Sequence, residues 1–270
     1  MERRITGNSR ILAVICICLM FCVATVIGGE LTEKFDKTLP LPQGGKFELR
    51  NSNGAIHVQT WDRDEVRIEA EKRVRVGGHS EAERLLKKIE IRIDAGNDYV
   101  KVATEMPRTH GGGFWDLIFD GGSPQLEVTY WITLPKRVEA RLSNTNGKVE
   151  VGDITGSCDV STTNGRIVMA EMAGSMRAET TNGSIELRLV GLNGNPDVNL
   201  ETTNGGITAE LPANFSGWVS AETTNGSVQS DFPVTVERGF SKNRLEGKVG
   251  EGASRLRAET TNGSIRLIKR

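Results

Sequence analysis

The sequence predicts a mainly β protein, a right-handed β-solenoid with coils of about 18 to 22 residues, preceded by a strand-rich segment that holds one short helix. Three observations lead to this fold class. Similar segments centred on Asn-Gly recur six times, apolar and polar residues alternate around each of them, and the 31 glycines contrast with only 5% aromatic residues. Alternation with a period of two is typical of half-buried strands joined by tight turns.

The repeated Asn-Gly pairs lie mostly within Thr-Thr-Asn-Gly. We expect them to form a structural ladder of turns: Asn146, Gly147, Asn164, Gly165, Asn182, Gly183, Asn204, Gly205, Asn225, Gly226, Asn262 and Gly263. A tight reversal needs positive φ angles, which glycine adopts without steric cost and asparagine tolerates. In stacked coils asparagine lies over asparagine, so side-chain amides can bond from coil to coil. The last spacing is roughly double the others, which indicates a coil without the motif and a hairpin extension at residues 232–252.

One repeat illustrates the alternation. Met176, Ala178 and Thr180 point to one face before the turn, and Ile185 and Leu187 return to that face after it. Asn-Gly between alternating strands is also the strongest short signal for a β-hairpin, and a hairpin would place these residues on one face as well. Near-constant spacing favours stacked coils, because like positions then lie over one another. The hairpin stays as the alternative.

Residues 1–29 are expected to be a secretory signal peptide or an N-terminal membrane anchor. Arg3, Arg4 and Arg10 precede an uncharged apolar run at residues 11–27. Such a start directs export, and the run provides a membrane contact if it is not cleaved. We therefore expect an exported protein, in the periplasm or at the cell surface, or anchored in the cytoplasmic membrane. Cys158 lies beyond the run and is expected to be a small buried hydrophobe.

Residues 30–136 are expected to form the strand-rich N-terminal segment, and residues 137–270 the Thr-Thr-Asn-Gly solenoid. An Asn-Gly turn at Asn53 indicates an outlying coil or a cap. Ser80 and Glu83 match a helix capping box and predict a short helix near residues 80–89.

A glycine-rich insertion at residues 107–124 has an apolar centre. Phe114, Trp115 and Phe119 are therefore a candidate contact loop. The centre either packs onto the body of the protein or is exposed as a contact for a partner or a membrane.

Charge and motifs exclude several classes of function. The chain has 34 basic and 35 acidic residues, which leaves no basic face for nucleic acid. His57, His79 and His110 lack the spacing of metal ligands, and no nucleotide-binding or hydrolase motif is present, so no cofactor or metal is expected. Four outward acidic residues align at one repeat position and are candidates for glycoside chemistry: Glu179, Glu201, Glu222 and Glu259. That position faces solvent, where charged rows are normally a solvated surface.

The residues that carry a family resemblance extend over most of the chain beyond residue 30. They are LRNSNGAIHVQTWDRDEVRIEAEK, WITLP, the TTNG units and the closing GKVGEGASRLRAETTNGSIRLIKR. Together they resemble the bacterial putative-adhesin family of β-strand-repeat domains of unknown function. The resemblance implies a β-solenoid on an exported or membrane-anchored protein, without catalytic residues. The insertion at 107–124 is not part of that pattern.

The sequence therefore predicts a non-catalytic binding or structural module of the cell envelope, adhesin-like, and not an enzyme. Its partner is an unidentified envelope polymer, lipid or protein. The alternative is a carbohydrate-active enzyme, a polysaccharide lyase or hydrolase, on the same solenoid scaffold.

Overall fold

A computed structural model describes residues 24–27, 30–107, 124–192 and 194–270 of the chain. Those residues are mainly in β-strands, as the sequence predicts. In the N-terminal part, the elements are β1 (Ala24–Ile27), β2 (Glu30–Pro40), β3 (Lys46–Arg50), β4 (Ile56–Trp61), β5 (Glu65–Arg75), α1 (His79–Leu86), β6 (Glu90–Ala95), β7 (Tyr99–Glu105) and β8 (Gln125–Pro135).

The repeat part contains strands throughout. They are β9 (Glu139–Ser143), β10 (Val149–Gly152), β11 (Ser157–Asn164), β12 (Ile167–Ala173), β13 (Met176–Asn182), β14 (Ile185–Gly191), β15 (Asp197–Asn204), β16 (Ile207–Leu211), β17 (Gly217–Asn225), β18 (Val228–Ser230), β19 (Thr235–Ser241), β20 (Arg244–Val249), β21 (Ser254–Asn262) and β22 (Ile265–Lys269).

The strands form two sheets of 11 strands each. Sheet A has the order β1-β2-β5-β8-β4-β10-β12-β14-β16-β22-β18, and sheet B has the order β19-β20-β17-β21-β15-β13-β11-β9-β3-β7-β6. The strand before each Asn-Gly lies in sheet B and the strand after it lies in sheet A. The hairpin alternative is therefore wrong for these repeats, because a hairpin would pair the two strands within one sheet. The coil's handedness and exact length stay predictions.

Repeats stack in parallel with like positions in register. Met176 pairs with Val198, Ala178 with Leu200 and Asn182 with Asn204, for example. The apolar alternation is confirmed, since Met176, Ala178, Ile185 and Leu187 are all buried. Their counterparts in the other repeats form one continuous core between the two sheets. No repeat has a core of its own, so stacking is what removes this apolar surface from water.

The last repeat of the sequence is not the last in the stack. β21 pairs in parallel with both β15 and β17, so it lies between them. β22 likewise lies between β16 and β18. The C-terminal repeat is thus inserted between two repeats that precede it in the chain.

The hairpin predicted for residues 232–252 is confirmed, but the extra coil predicted there is wrong. β19 and β20 pair antiparallel, and β20 also runs antiparallel along β17. The segment therefore covers one edge of sheet B instead of adding a coil. The outer strand of the hairpin, β19, is then the edge strand of sheet B.

The N-terminal segment continues both sheets. β3 and β4 pair in parallel with β9 and β10, so the Asn53 turn belongs to a stacked repeat. β8 pairs in parallel with β4, and β5 and β2 then extend sheet A by antiparallel pairing. The predicted helix is present as α1, but it begins at His79 and its N-cap, Gly78, makes no side-chain cap bond. Ser80 lies inside the helix, so the predicted capping box does not form.

Several predictions fall outside the described residues. These are the candidate contact loop of Phe114, Trp115 and Phe119, and nearly all of the predicted signal or anchor segment, of which only residues 24–27 are described. Those four residues form β1, antiparallel to β2. In the described part of the chain, no helix is long and apolar enough to cross a membrane.

Candidate functional site

The turn asparagines form one continuous column of side-chain hydrogen bonds. Asn146 Nδ2 donates to Asn53 Oδ1 at 2.6 Å, and each later asparagine in the stack donates to the one before it at 2.8 to 2.9 Å. The column runs in stacking order through Asn53, Asn146, Asn164, Asn182, Asn204, Asn262 and Asn225. The inner members therefore use both an amide donor and a carbonyl acceptor within the column.

The turn glycines lie where a Cβ would not fit. A Cβ on Gly183 would lie 2.0 Å from the carbonyl oxygen of Gly165, and a Cβ on Gly205 would lie 1.9 Å from that of Gly183. The expected reason for glycine, a positive φ, is wrong for most of the ladder. Gly147 has φ 131°, but the other five predicted turn glycines lie outside the left-handed region. Glycine is needed because neighbouring coils approach closely.

The first threonine of the motif is buried and bonds to the neighbouring coil. Thr202 Oγ1 donates to the carbonyl oxygen of Gly183 at 2.9 Å. The same bond recurs from Thr180, Thr223 and Thr260. Thr162 differs, because its buried hydroxyl has no hydrogen-bond partner among the described residues. The asparagine of the motif, and in four repeats its first threonine, therefore form hydrogen bonds between stacked coils, which is a structural role.

The aligned acidic residues lie side by side on four neighbouring strands of sheet B: Glu179, Glu201, Glu259 and Glu222. Arg177 pairs with Glu179 at 3.2 Å, and Arg257 pairs with Glu259 at 2.8 Å. The hydrogen bond to Glu259 is the largest cause of the raised pKa of Arg257. Carboxylates paired with arginines on an open sheet face are a solvated surface, and their geometry gives no acid–base pair enclosed around a glycosidic bond.

A different arrangement occurs on the outer face of sheet A. One row of outward side chains crosses the sheet through paired positions: Asp36, Glu69, Trp131, His57, Glu150, Val168 and Glu186. Trp131 is 43% exposed, whereas its chain neighbours Tyr130 and Ile132 are fully buried. Tryptophan is enriched at protein contact surfaces, which makes Trp131 a candidate contact residue.

His57 supports Trp131 from one side. The two rings are stacked, with centroids 6.0 Å apart and planes inclined by 14°. His57 Nδ1 lies 2.7 Å from a carboxylate oxygen of Glu150, which Lys148 also contacts. The pKa of Glu150 lies below its ordinary value, chiefly because of the hydrogen bond from Lys148 and to a smaller extent because of His57. An ionised Glu150 fixes His57, and His57 in turn fixes the orientation of the tryptophan.

Two depressions flank Trp131. The first, here called the Glu69 depression, has a volume of about 530 Å³ and is lined, besides Trp131, by Lys34, Phe35, Asp36, Glu69, Ala70 and Glu71. The second, here called the Gly152 depression, has a volume of about 320 Å³; its lining includes Trp131, His57, Gln59, Glu150, Gly152 and Ala170. β8 lies between β5 and β4 in sheet A, so Trp131 is a ridge between the two.

Sequence reasoning missed Trp131, although a signal was present. In the run QLEVTYWITL, strict alternation assigns Tyr130 and Ile132 to one face and Trp131 to the other. An aromatic residue on the polar face of a strand is the feature that could have identified it. The depressions themselves depend on which strands become neighbours, which the alternation does not give.

The chain matches one known family over most of its length, with residues 40–267 aligned. It belongs to the Toastrack DUF4097 family. The predicted kinship with a family of β-rich adhesin-like domains is confirmed at this level, while the Thr-Thr-Asn-Gly repeat as a family feature stays a prediction. No curated protein matches this Toastrack chain.

One solved structure supports the fold. The Toastrack chain is similar to a candidate cell adhesion protein from Clostridium sporogenes ATCC 15579, with a TM-score of 0.52 and 15% identity over 88% of this chain and 100% of that one. Identity this low shows a shared fold alone.

Two further structures are more distant. A candidate adhesin from Bacteroides fragilis NCTC 9343 has a TM-score of 0.26 and 10% identity over 87% of this chain and 97% of that one. A candidate lipid binding protein from Parabacteroides distasonis ATCC 8503 has a TM-score of 0.29 and 10% identity over 87% and 96%. Likenesses this weak support no argument about this chain.

Proposed function

We propose that this chain is an exported, non-catalytic binding module of the cell envelope, adhesin-like in its role. Its stacked repeats would form a right-handed solenoid with coils of about 18 to 22 residues that serves as a rigid support. Its partner would be an envelope polymer, a lipid or another protein, contacted through the outer face of sheet A. Export is supported by the basic start and the apolar run at residues 11–27.

The observation that carries the proposal is the exposed Trp131 between two depressions. Most of the surrounding surface consists of charged side chains that already pair with each other, such as Arg67 with Asp36 at 2.7 Å and Arg188 with Glu210 at 2.9 Å. Ion pairs on an exposed face contribute little stability, so their main effect here is a polar, non-aggregating surround. An aromatic anchor inside a polar surround is the usual composition of a protein contact surface.

The enzyme alternative is less favoured by the same geometry. The aligned glutamates lie on the opposite sheet, on an open face with arginine partners. A binding role needs only a surface of the right shape and chemistry, which the Trp131 ridge supplies.

A binding screen with product analysis tests the proposed function. Purified chain is applied to arrays of glycans and lipids and to envelope extracts, and each bound glycan is recovered and analysed for new ends. We expect saturable binding with unchanged ligand, lost in Trp131→Ala and kept in Trp218→Ala. Trp218 is the matched control, a partly exposed tryptophan on the outer face of sheet B. Shortened or unsaturated glycan products would contradict the proposal and favour the enzyme.

A further inference from the structure

We propose that the Glu69 depression binds one ring of a neutral glycan, stacked on Trp131. This inference rests on the proposed binding function and names the ligand class of the same site. It follows from the open side of the Trp131 ring, the fixed polar groups beside it, and the sign of the charges that line the depression.

The two sides of Trp131 differ in what covers them. His57, on the β4 side, stacks against the ring at a centroid distance of 6.0 Å. On the β5 side, the ring is a wall of the Glu69 depression, which has a volume of about 530 Å³. A sugar ring presents a face of C–H groups to an aromatic ring and directs its hydroxyls outward around the edge. The open side of Trp131 therefore offers the apolar surface that such a face requires.

The groups beside the ring are held in place by ion pairs. Arg67 Nη2 lies 2.7 Å from Asp36 and 3.0 Å from Glu69, and Arg73 lies 2.7 Å from Glu71. Each carboxylate keeps further lone pairs for hydroxyl donors, since one carboxylate accepts several hydrogen bonds. Side chains that are already oriented lose less entropy when they bind hydroxyls, so the site is preorganised.

Most of the charged side chains that line the depression are acidic. Asp36, Glu69 and Glu71 stand beside one basic side chain, Lys34, and Arg67 and Arg73 pair with these carboxylates from outside the lining. An anionic polymer or a negatively charged lipid surface would meet more repelling than attracting groups in the lining. A neutral ligand with many hydroxyls can use both the acceptors and the donors, which is why we assign a neutral glycan.

The Gly152 depression extends this site across the sheet. Adjacent strands lie about 4.8 Å apart, so the track from β5 to β12 is roughly 19 Å long. Gly152 forms part of the floor, where a Cβ would approach no other atom closer than 3.8 Å. A larger residue there would fill the depression without disturbing the fold. A chain of several sugars, lying across the strands, is the ligand that would use both depressions.

The test compares variants of the full chain by isothermal titration with neutral disaccharides and hexasaccharides of β-1,4-linked glucose and of β-1,4-linked N-acetylglucosamine. Oligogalacturonate and phosphatidylglycerol vesicles are the anionic probes. We expect binding of a neutral glycan, weakened at least about tenfold in Trp131→Ala and unchanged in Trp218→Ala. Gly152→Leu should weaken binding of the hexasaccharide but not of the disaccharide. Unchanged circular dichroism and urea midpoints establish that each variant folds.

The other outcomes separate the glycan site from the binding function. Trp131-dependent binding of the anionic probes alone refutes the glycan site but keeps the proposed binding function. Binding of a neutral glycan that Trp131→Ala leaves unchanged refutes both the glycan site and the proposed contact surface around Trp131. Absence of binding to every neutral glycan also refutes the glycan site. Conversion of the oligosaccharides to shorter products refutes the proposed non-catalytic function itself.

Discussion

Substituting a turn glycine tests the explanation of the ladder. In Gly183→Ala, the new Cβ would lie 2.0 Å from the carbonyl oxygen and 2.5 Å from the carbonyl carbon of Gly165. Both atoms are backbone and cannot rotate away, so the two coils must separate locally. Separation stretches two hydrogen bonds across the same gap, from Thr180 Oγ1 to Gly165 O at 3.0 Å and from Gly165 N to Asn182 O at 3.0 Å.

The expected loss of stability follows from these contacts. Overpacking costs about 1 to 3 kcal/mol, and each weakened hydrogen bond costs about 0.5 to 1.5 kcal/mol at most. Alanine also restricts the unfolded chain, which offsets about 0.4 to 1 kcal/mol. We therefore expect Gly183→Ala to lower the free energy of unfolding by about 1 to 6 kcal/mol.

Urea denaturation followed by circular dichroism measures the effect. The matched control is Gly77→Ala, because a Cβ added at Gly77 would have no atom within 4 Å and the residue has no positive φ. We expect that control to match or slightly exceed the wild type in stability. Equal stability of the two variants would refute the close-approach explanation of the Thr-Thr-Asn-Gly glycines.

Four further predictions concern the buried core. Thr202→Val removes the hydrogen bond from the threonine hydroxyl to the neighbouring coil, and urea denaturation should show a free energy of unfolding lower by about 1 to 2 kcal/mol. The control is Thr162→Val, which loses no such bond and should stay within about 0.5 kcal/mol of the wild type. Leu256→Ala should cost about 2 to 5 kcal/mol although it lies near the C-terminus, because β21 is interior to sheet B; a cost below about 1 kcal/mol would contradict that strand order. Burial raises the pKa of Cys158 to about 12, so peptide mapping should find iodoacetamide on it at about pH 8 only after denaturation. Burial also raises the pKa of Tyr130 to about 12. Between their ordinary pKa values of 9.0 and 10.0 and these raised values, Cys158 and Tyr130 ionise in the unfolded chain but not in the folded one, which favours unfolding. The urea midpoint should therefore fall as the pH rises from about 9 toward 12.

The repeat pattern predicted the buried faces because that information is local. Met176, Ala178 and Thr180 alternate with polar residues, and any sheet that buries one of them buries all three. Register followed as well, since near-identical repeats place asparagine over asparagine. The reason for glycine did not follow, because the close contact of Gly183 with Gly165 joins two coils and leaves no trace in the local sequence.

The order of the strands could not be predicted from the sequence for a related reason. The repeats at Asn225 and Asn262 share the residues AETTNGS, so either fits beside the Asn204 repeat with similar contacts. What distinguishes the two orders is the hairpin of β19 and β20, which covers the edge of sheet B only when β17 lies outermost. The sequence predicted the hairpin but not the edge it would cover. The exposure of Trp131 could be predicted from the alternation of residues in its strand. The depressions beside it could not, because they depend on which strands become neighbours in the sheet.

Hydroxyl-radical footprinting of the tryptophans tests the central claim, that this chain binds its ligand intact through the outer face of sheet A. The full chain is oxidised with and without the neutral hexasaccharide, and the recovered hexasaccharide is weighed by mass spectrometry. The account predicts that bound glycan protects Trp131 from oxidation, leaves Trp218 unaffected, and keeps its original mass. Equal oxidation of Trp131 in both samples, or a shortened hexasaccharide, would contradict it.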